Sequence, residues 1–426
     1  MTPASATSSP TGAPDSMGPV KARERIITLD ILRGIALLGV LVVHGNWVFN
    51  QVWFFSPENE LWRFSLDALA FFGIETFFEG KAITIFSFLF GLGIALQMGR
   101  AEEKGIRVMP FFSRRLAILF GIGVLHAVLL FHGDILIVYA VLGFALLLFR
   151  ERSDRTLLLW AGAIGMAVLL IFGGMRWWDA AMGIEPAGWE GYRALVENFT
   201  SSDVATVLAA NVGLLVHRIA SGSIWEFQGV FLAVFLIGML VGRRRIFENI
   251  GAHREGFRRV RTWGLALGIP LSILTALWWQ IIPPEWRDAA PSLAMAYWVV
   301  FNVSIVLAAG YVATVTLLLH DSEAWKRRLS IFAPVGRMAL TNYIAQSVVA
   351  ILIFYGPGLG LMGQIGPAMA LGVTLSVFGA QILWSHWWLA RFRYGPLEWL
   401  WRVATYGKLQ PMRIPVPEPA PTAVDG

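Results

Sequence analysis

The sequence predicts an all-α fold, a polytopic bundle of about ten transmembrane helices with both termini in the cytoplasm. Of the 426 residues, 56% are hydrophobic and only 15% are charged. The apolar residues occur in runs near the length of a membrane span, and Lys and Arg concentrate in alternate loops. So little polar surface could not cover a soluble globule of this size.

The N-terminal segment, residues 1–22, is rich in Ser, Pro, Ala and Thr and contains no apolar core. It predicts a disordered cytoplasmic tail and not a cleaved signal peptide. We therefore expect the first apolar run, from Ile26, to be retained as helix 1. Cys is absent, so no mechanism for this chain uses a thiolate, a disulfide or a Cys-ligated metal.

The apolar runs that follow approach the roughly 20 residues needed to cross a bilayer. They cover residues 26–48, 68–98, 114–131, 134–149, 157–174, 225–242, 262–282, 292–319, 333–355 and 366–389. The second run is too long for one span, and its outer part carries Glu75 and Glu79. A broken or re-entrant segment is expected there.

These runs form two transmembrane halves joined by a polar outer loop. The predicted parts are an N-terminal half that holds the site, the loop, a C-terminal half and a disordered tail, at residues 23–174, 175–222, 223–408 and 409–426. Aromatic residues in the loop are typical of a helix at headgroup depth; they are Trp177, Trp178, Trp189 and Tyr192. The two halves share no evident repeat, which an inverted-repeat transporter would usually contain.

Basic residues set the orientation. With the N-terminus inside, 26 of the 34 Lys and Arg residues fall in inner segments, as the positive-inside rule requires. Because they are spread over several short loops and not along one groove, nucleic acid is excluded as a partner. Membrane lipids are the expected surroundings.

Polar and ionisable side chains gather at the predicted outer side of several spans. Such groups are costly at membrane depth, so each is a functional candidate. From helix 1 to helix 4 they are His44, Asn46, Asp67, Glu75, Glu79, Lys81, His126, His132 and Asp134. Their common depth predicts one polar site near the outer face.

Two features of this outer set indicate acid/base chemistry. Glu75 and Glu79 are four residues apart and would share a helix face, where two carboxylates repel unless a proton or Lys81 lies nearby. A histidine within reach of a carboxylate, such as His126, would form an acid/base pair.

Structural roles are the alternative for the same residues. His132 and Asp134 can cap helices 3 and 4. Glu79 and Lys81 can sit at the membrane interface. His44 can bond a neighbouring carbonyl.

A second polar set lies at the predicted inner side. It consists of Asp30 and Arg33 on helix 1, Arg114 and Arg115 before helix 3, and Arg337, Thr341, Asn342 and Gln346 on helix 9. The arginines could hold the phosphates of an anionic ligand. The alternative is an Asp30–Arg33 ion pair with polar contacts between helices. No His-x3-His pair or closed carboxylate set indicates a metal.

Several sequence blocks, in order, resemble the YeiB family of bacterial inner-membrane proteins, which is defined by the DUF418 domain. The blocks are Leu29-Asp30-Ile-Leu-Arg33-Gly34, Phe86-Ser-Phe-Leu-Phe-Gly91, Gly123-Val-Leu-His126 with Gly133-Asp134, Gly336-Arg337-Met-Ala-Leu-Thr-Asn342-Tyr343, and Gly395-Pro-Leu-Glu398-Trp-Leu-Trp401-Arg402. The resemblance runs from about residue 22 to 413. The family more often has Asn at the position of His44 and does not fix His132, which favours His126 and Asp134.

The opening of helix 1 is also similar to that of transmembrane acyltransferases such as the heparan glucosaminide N-acetyltransferase group. Those enzymes take an acyl group from cytoplasmic acyl-CoA and use a buried His as base. The resemblance therefore implies acyl-CoA as donor and a hydroxyl or amine of an envelope glycan or lipid as acceptor.

In this scheme each polar set has a role. The catalytic residues would be His126 as general base and Asp134 as its orienting partner, with His132 and His44 as weaker candidates. The acceptor would lie against Glu75, Glu79, Lys81 and Asn46. The donor phosphates would lie against Arg33, Arg337, Asn342, Arg114 and Arg115.

Two other functions use the same residues. In a proton-coupled transporter or exporter of a small organic solute, the carboxylates and His would form a proton relay. The absent repeat and the scarcity of mid-membrane Pro count against it. The third possibility is a non-catalytic envelope protein.

Overall fold

The computed structural model describes residues 26–51, 66–182, 194–222, 228–282 and 291–414. Within these ranges the regular structure is helical, apart from one isolated bridge between Phe392 and Arg413. The helices are α1 Ile27–Val43, α2 Leu66–Phe77, α3 Lys81–Glu103, α4 Val108–Leu129, α5 Leu136–Leu147, α6 Asp154–Met182, α7 Val204–Ala220, α8 Gln228–Arg243, α9 Arg254–Ile281, α10 Pro291–Ser304, α11 Val306–Asp321, α12 Glu323–Leu329, α13 Ala333–Arg337, α14 Ala339–Phe354, α15 Pro367–Leu389 and α16 Pro396–Tyr406.

The predicted all-α, polytopic fold class is confirmed. Among the described residues, seven helical segments are long and apolar enough to cross a membrane. An eighth is added if Glu323–Arg337 and Ala339–Phe354, which meet at an angle of 78°, form one broken span. The protein is therefore a multi-pass membrane protein. The count of ten spans stays a prediction, because two of the predicted spans contain only the shorter helices α5 and α8, of 12 and 16 residues. The orientation of the spans also stays a prediction.

The second apolar run is broken, as its length predicted. Helix α2 ends at Phe77 and α3 begins at Lys81, with Gly80 between them at φ +73°, a left-handed conformation that favours glycine. The amides of Phe78 and Glu79 both donate to the carbonyl of Ile74. Glu79 therefore lies in the turn just beyond the end of α2 and not on the helix itself, but it remains close enough to Glu75 for the two carboxylates to repel, as the sequence predicted.

The described parts of the predicted outer loop and of the C-terminal tail contain helix and backbone hydrogen bonds. Helix α6 continues beyond the predicted end at 174 and carries Trp177 and Trp178, whereas Trp189 and Tyr192 lie outside the described residues. Helix α7 packs into an aromatic cluster with the bundle. In the predicted tail, the Met412 carbonyl accepts a hydrogen bond from the amide of Arg393. The predicted tail at 1–22 lies outside the described residues.

Close helix packing depends on glycines at two crossings. Helix α3 packs against α8, and a Cβ atom on Gly91 or Gly238 would overlap the backbone of Phe235 or Phe88 on the facing helix. Helices α9 and α11 approach in the same way at Gly264. Small residues let backbones approach where lipid supplies no hydrophobic force between helices. The crossing of α3 and α8 therefore tolerates no larger side chain.

We expect Gly238→Leu to lower the stability of the bundle by about 1–3 kcal/mol or more, because the new side chain forces α8 away from α3. The measurement is thermal unfolding of the purified protein in detergent. Gly162→Leu is the control, since a Cβ atom there meets nothing within 4 Å. Equal unfolding temperatures for the two variants would contradict the prediction.

Candidate catalytic site

A buried chain of three polar side chains lies between α4, α5 and α14. The Nδ1 atom of His126 is 2.8 Å from Oδ1 of Asp134, and its Nε2 atom is 2.9 Å from Oγ of Ser347. The exposed fractions of the three residues are 3%, 5% and 1%. The sequence prediction paired the first two residues, and the structure adds the third.

Asp134 is fixed by its place in a tight turn. Helix α4 ends at Leu129, and the amide of Asp134 donates to the carbonyl of Phe131. The second carboxylate oxygen, Oδ2, accepts the amide of Ile137 at 2.8 Å and caps the start of α5. The capping role and the pairing with His126 therefore coexist, one on each oxygen.

The hydrogen bonds assign the tautomer of His126. A carboxylate only accepts hydrogen bonds, so in the neutral imidazole Nδ1–H donates to Asp134 and Nε2 carries the free lone pair. The hydroxyl of Ser347 then donates to Nε2. The same order of groups, hydroxyl to imidazole to carboxylate, activates the nucleophile of serine hydrolases.

Sequence reasoning missed Ser347, which lies 221 residues from His126. Serine is common in membrane helices, and no spacing marked this one. Its sequence signal was its place at the end of the polar stretch Asn342–Ser347 in the otherwise apolar helix α14.

His44 borders this site without bonding to it. It begins a π-helical segment, His44–Phe49, that continues α1. Its ring centroid is 5.2 Å from that of Phe131, which is in turn 6.2 Å from His126. Tyr343 covers His126 from another side, with ring centroids 5.1 Å apart. Phe131 is thus an aromatic neighbour of both His44 and His126.

His132 contacts residues of the segment that contains α7. Its backbone amide donates to Oδ1 of Asn211 at 2.7 Å, and its ring stacks on Phe199. The amide group of Asn211 also donates to the carbonyls of Ala127 and Val128 at the end of α4. The structure therefore groups His132 with the docking of α7, apart from His126 and Asp134.

Burial, with repulsion from Arg218, lowers the pKa of His132 from 6.5 to about 3. Between about pH 3 and pH 6.5 the unfolded chain therefore binds a proton at His132 that the folded chain does not. Acidification below about pH 6.5 should reduce the free energy of unfolding by up to about 1.4 kcal/mol per pH unit.

We expect His132→Gln to reduce this dependence of the free energy of unfolding on pH, because the titrating ring is removed. Melting curves from about pH 5 to pH 7 measure it; an unchanged slope would assign the acid sensitivity to another group.

The predicted acceptor residues form a second buried group. The Nζ atom of Lys81 donates to the carbonyl of Glu75 at 3.1 Å, and both residues are buried. Glu79 is close enough to Lys81 to interact electrostatically. On the π-helical segment, the amide of Asn46 donates to the carbonyl of Val42, and its buried Oδ1 atom accepts no hydrogen bond from any residue in the described ranges. The structure thus brings Glu75, Glu79 and Lys81 together.

Arginines gather at the predicted inner end of the bundle. Arg33 pairs with Asp30 at 2.9 Å, as the structural alternative expected, and Arg33 and Arg402 both lie close enough to repel Arg115. The Arg115 guanidinium lies 3.8 Å from the centroid of the Trp401 ring. Sequence reasoning did not include Arg402, which reaches this group from α16.

The other three predicted donor ligands, Arg114, Arg337 and Asn342, have these contacts among the described residues. Arg114 borders Gly407 at the end of α16. Arg337 reaches the carbonyl of Arg393 at 3.5 Å. The amide of Asn342 donates to the carbonyl of Val335 and to Ser385, so the structure does not bring it to the arginines.

A carboxylate occupies the start of α14. Glu398 Oε1 accepts the amides of Leu340 and Thr341 at 2.7 and 3.1 Å, and its Oε2 accepts the hydroxyl of Thr341 at 2.6 Å. Burial raises the pKa of Glu398, and these hydrogen bonds oppose that shift. The helix end that could have received a phosphate is therefore capped by the protein itself.

The inner and outer groups are related by helix geometry. Arg33 and His44 are eleven residues apart along the first span, as are Arg115 and His126 on α4. Eleven residues of α-helix rise about 17 Å and return to within about 20° of the same face. Between them, Leu37, Val40 and Leu119 belong to one apolar cluster. Each helix thus presents an arginine and a histidine at opposite ends of an apolar stretch.

No group of three or more His, Asp or Glu side chains suited to a metal ion occurs in the described part of the chain.

The chain is similar to known sequences over most of its length. The family described as "Protein of unknown function (DUF418)" matches residues 241–408. The uncharacterized protein YxaH of Bacillus subtilis (strain 168) is 34% identical over 93% of this chain and 98% of its own length. An uncharacterized 39.9 kDa protein from the amylase 3' region of Bacillus acidopullulyticus is 28% identical over 93% and 98%. The uncharacterized protein YeiB of Escherichia coli (strain K12) is 28% identical over 90% and 96%. No solved structure matches the chain.

Proposed function

We propose an enzymatic function for this chain, which belongs to the YeiB family defined by the DUF418 domain. It transfers an acyl group, most simply acetyl, from cytoplasmic acyl-CoA to a hydroxyl or amine of an envelope glycan or lipid in the bacterial inner membrane. The observation that carries the proposal is the buried His126, held by Asp134 with its free Nε2 lone pair on a hydroxyl.

His126 is the general base of the reaction. Its Nε2 lone pair removes the proton of an attacking hydroxyl, and Asp134 holds the ring in the tautomer that leaves this lone pair free. The positive charge that develops on the ring is stabilised by the Asp134 carboxylate 2.8 Å away. Burial strengthens that attraction, because the effective dielectric constant is lower than in water.

The inner arginines hold the donor. Arg33 and Arg402 both lie close enough to Arg115 to repel it, and a diphosphate bound beside Arg115 would offset that repulsion. CoA carries its thioester on an extended arm remote from its phosphates. The rise of about 17 Å from Arg115 to His126 along one face of α4 suits such an arm.

The acceptor would bind at the outer group. Glu75 and Lys81 supply buried charges of both signs, and Asn46 supplies a carbonyl oxygen that accepts no hydrogen bond from the described residues. Hydroxyl and amine groups of a glycan or a lipid head group would bond to these atoms. Trp47, whose ring centroid is 4.9 Å from that of Phe71, adds an aromatic surface beside them.

A proton-coupled transporter is the second candidate, and the burial of Glu75 and Lys81 within a predicted span favours it. In such a protein, ionisable residues inside the membrane relay protons. The two functions differ in product. An acyltransferase modifies its acceptor covalently, whereas a transporter moves a solute unchanged.

We expect His126→Ala to reduce acyl transfer at least about 10²-fold, because the general base is lost. Asp134→Asn should lose much of the activity, since it leaves the imidazole in the wrong tautomer. The measurement is transfer of radiolabel from acetyl-CoA to envelope components in inverted membrane vesicles.

His253→Ala is the control, because that ring bonds a carbonyl of its own turn, four residues earlier. Equal labelling in wild type and His126→Ala would eliminate His126 as the base. Absence of labelled product in every sample, with proton-driven solute uptake intact, would support the transporter.

At the donor site, Arg115→Gln should weaken CoA binding about 10- to 100-fold, because one charge-assisted hydrogen bond is lost. Arg115→Lys should retain part of the affinity, since it keeps the charge but not the planar fork. Calorimetry on the detergent-solubilised protein measures both. Arg259→Gln is the control, because Arg259 is exposed and pairs with Glu255 on its own helix. Unchanged affinity in folded Arg115→Gln would assign Arg115 to helix packing.

A further inference from the structure

We infer that Ser347 is a nucleophile, and that it carries the acyl group as a covalent ester between donor and acceptor. The inference rests on the proposed acyl transfer for its substrates, but on a separate observation for the residue. That observation is the 2.9 Å hydrogen bond between Oγ of Ser347 and Nε2 of His126.

The imidazole of His126 offers only one lone pair, and Ser347 occupies it. Nδ1 is committed to Asp134, so Nε2 is the only nitrogen that can remove a proton. The first hydroxyl within its reach is that of Ser347. Direct attack by an external acceptor would require that acceptor to displace Ser347 from a buried hydrogen bond.

Several other buried hydroxyls in the described spans bond a backbone carbonyl, and one of them, Ser87, also bonds the hydroxyl of Tyr139. Thr84, Ser87 and Thr316 each donate to the backbone carbonyl four residues earlier in their own helix. This is the usual way for a hydroxyl to be satisfied within a helix. Ser347 instead donates to the ring of His126, on another helix, and that bond activates its oxygen.

The position of Ser347 also suits a carrier. It lies two turns into α14, whose first amides are fixed by Glu398. The proposed donor site is at the inner end of the bundle, and the proposed acceptor site is at the outer end. A covalent carrier at intermediate depth lets the two substrates react one after the other, so they need not meet.

The two half-reactions balance. In the first, Oγ of Ser347 attacks the thioester carbonyl while its proton passes to Nε2 of His126. The C–S bond then breaks, and the CoA thiolate leaves with that proton. In the second, the acceptor hydroxyl attacks the seryl ester and gives its proton to Nε2. The ester bond to Ser347 breaks, and Oγ recovers the proton. No oxidant or reductant is needed.

The test uses the full-length protein and two probes. Purified protein is incubated with radiolabelled acetyl-CoA, and separately with diisopropyl fluorophosphate, a small apolar reagent that reacts with activated serines. Mass spectrometry of the peptides identifies the modified residue. The variants are Ser347→Ala, His126→Ala and, as a matched control, Ser87→Ala, which removes another buried hydroxyl with a side-chain partner, Tyr139.

We expect hydroxylamine-sensitive acetyl label and the phosphoryl adduct on Ser347 in wild type and in Ser87→Ala. Both should be absent from Ser347→Ala and His126→Ala, and Ser347→Ala should lose about 10³-fold or more of acyl transfer. This result supports the inference.

The remaining outcomes separate the two proposals. Acyl transfer that persists in Ser347→Ala near the wild-type rate, without label on the protein, overturns the nucleophile and leaves the acyltransferase intact. A His126-dependent phosphoryl adduct on Ser347 without acetyl label supports the nucleophile and overturns acetyl-CoA as donor. Absence of both adducts from Ser347 in the folded wild type overturns the inference.

Discussion

Polar groups inside the bundle depend on the protein or on a bound substrate for their hydrogen bonds, because lipid tails supply none. Most hydroxyls of the described spans meet this constraint by bonding their own helix, as Thr316 does. Pairs such as Gln346 and Gln381 meet it across two helices. His126 meets it with two partners from different elements, and this leaves its basic nitrogen on a hydroxyl. The same constraint that holds the helices together thus orders the candidate catalytic groups.

The apolar pattern of the sequence was sufficient to predict the helices, because membrane spans are decided by local hydrophobicity over about 20 residues. It also predicted the break near Gly80, from the length of the second run and its carboxylates. The residues at which the helices end were harder to predict from the sequence. Helix α6 continues past Trp178, and residues up to Ile414 pair with the chain near Arg393, because tertiary contacts and not composition set these boundaries.

The site was predicted as far as it is local in sequence. His126 and Asp134 are eight residues apart on either side of a tight turn, so their contact follows from the turn. Ser347 and Glu398 come from distant helices, and only the packing of the bundle brings them to α4 and α14. His132 was placed by depth alone, because the sequence does not show which neighbour, here Asn211, its backbone amide will bond.

Helix α16 has only 11 residues and contacts both helices that carry the hydrogen-bonded His126–Ser347 pair. Glu398 grips the first turn of α14, and the Trp401 indole donates to the carbonyl of Arg115 on α4 at 3.0 Å. The two helices are thus clamped at one end, while their reactive side chains meet further along. The relative position of α4 and α14 therefore depends on α16. The distance between the Ser347 hydroxyl and the His126 imidazole is thus set in part by contacts remote from these two groups.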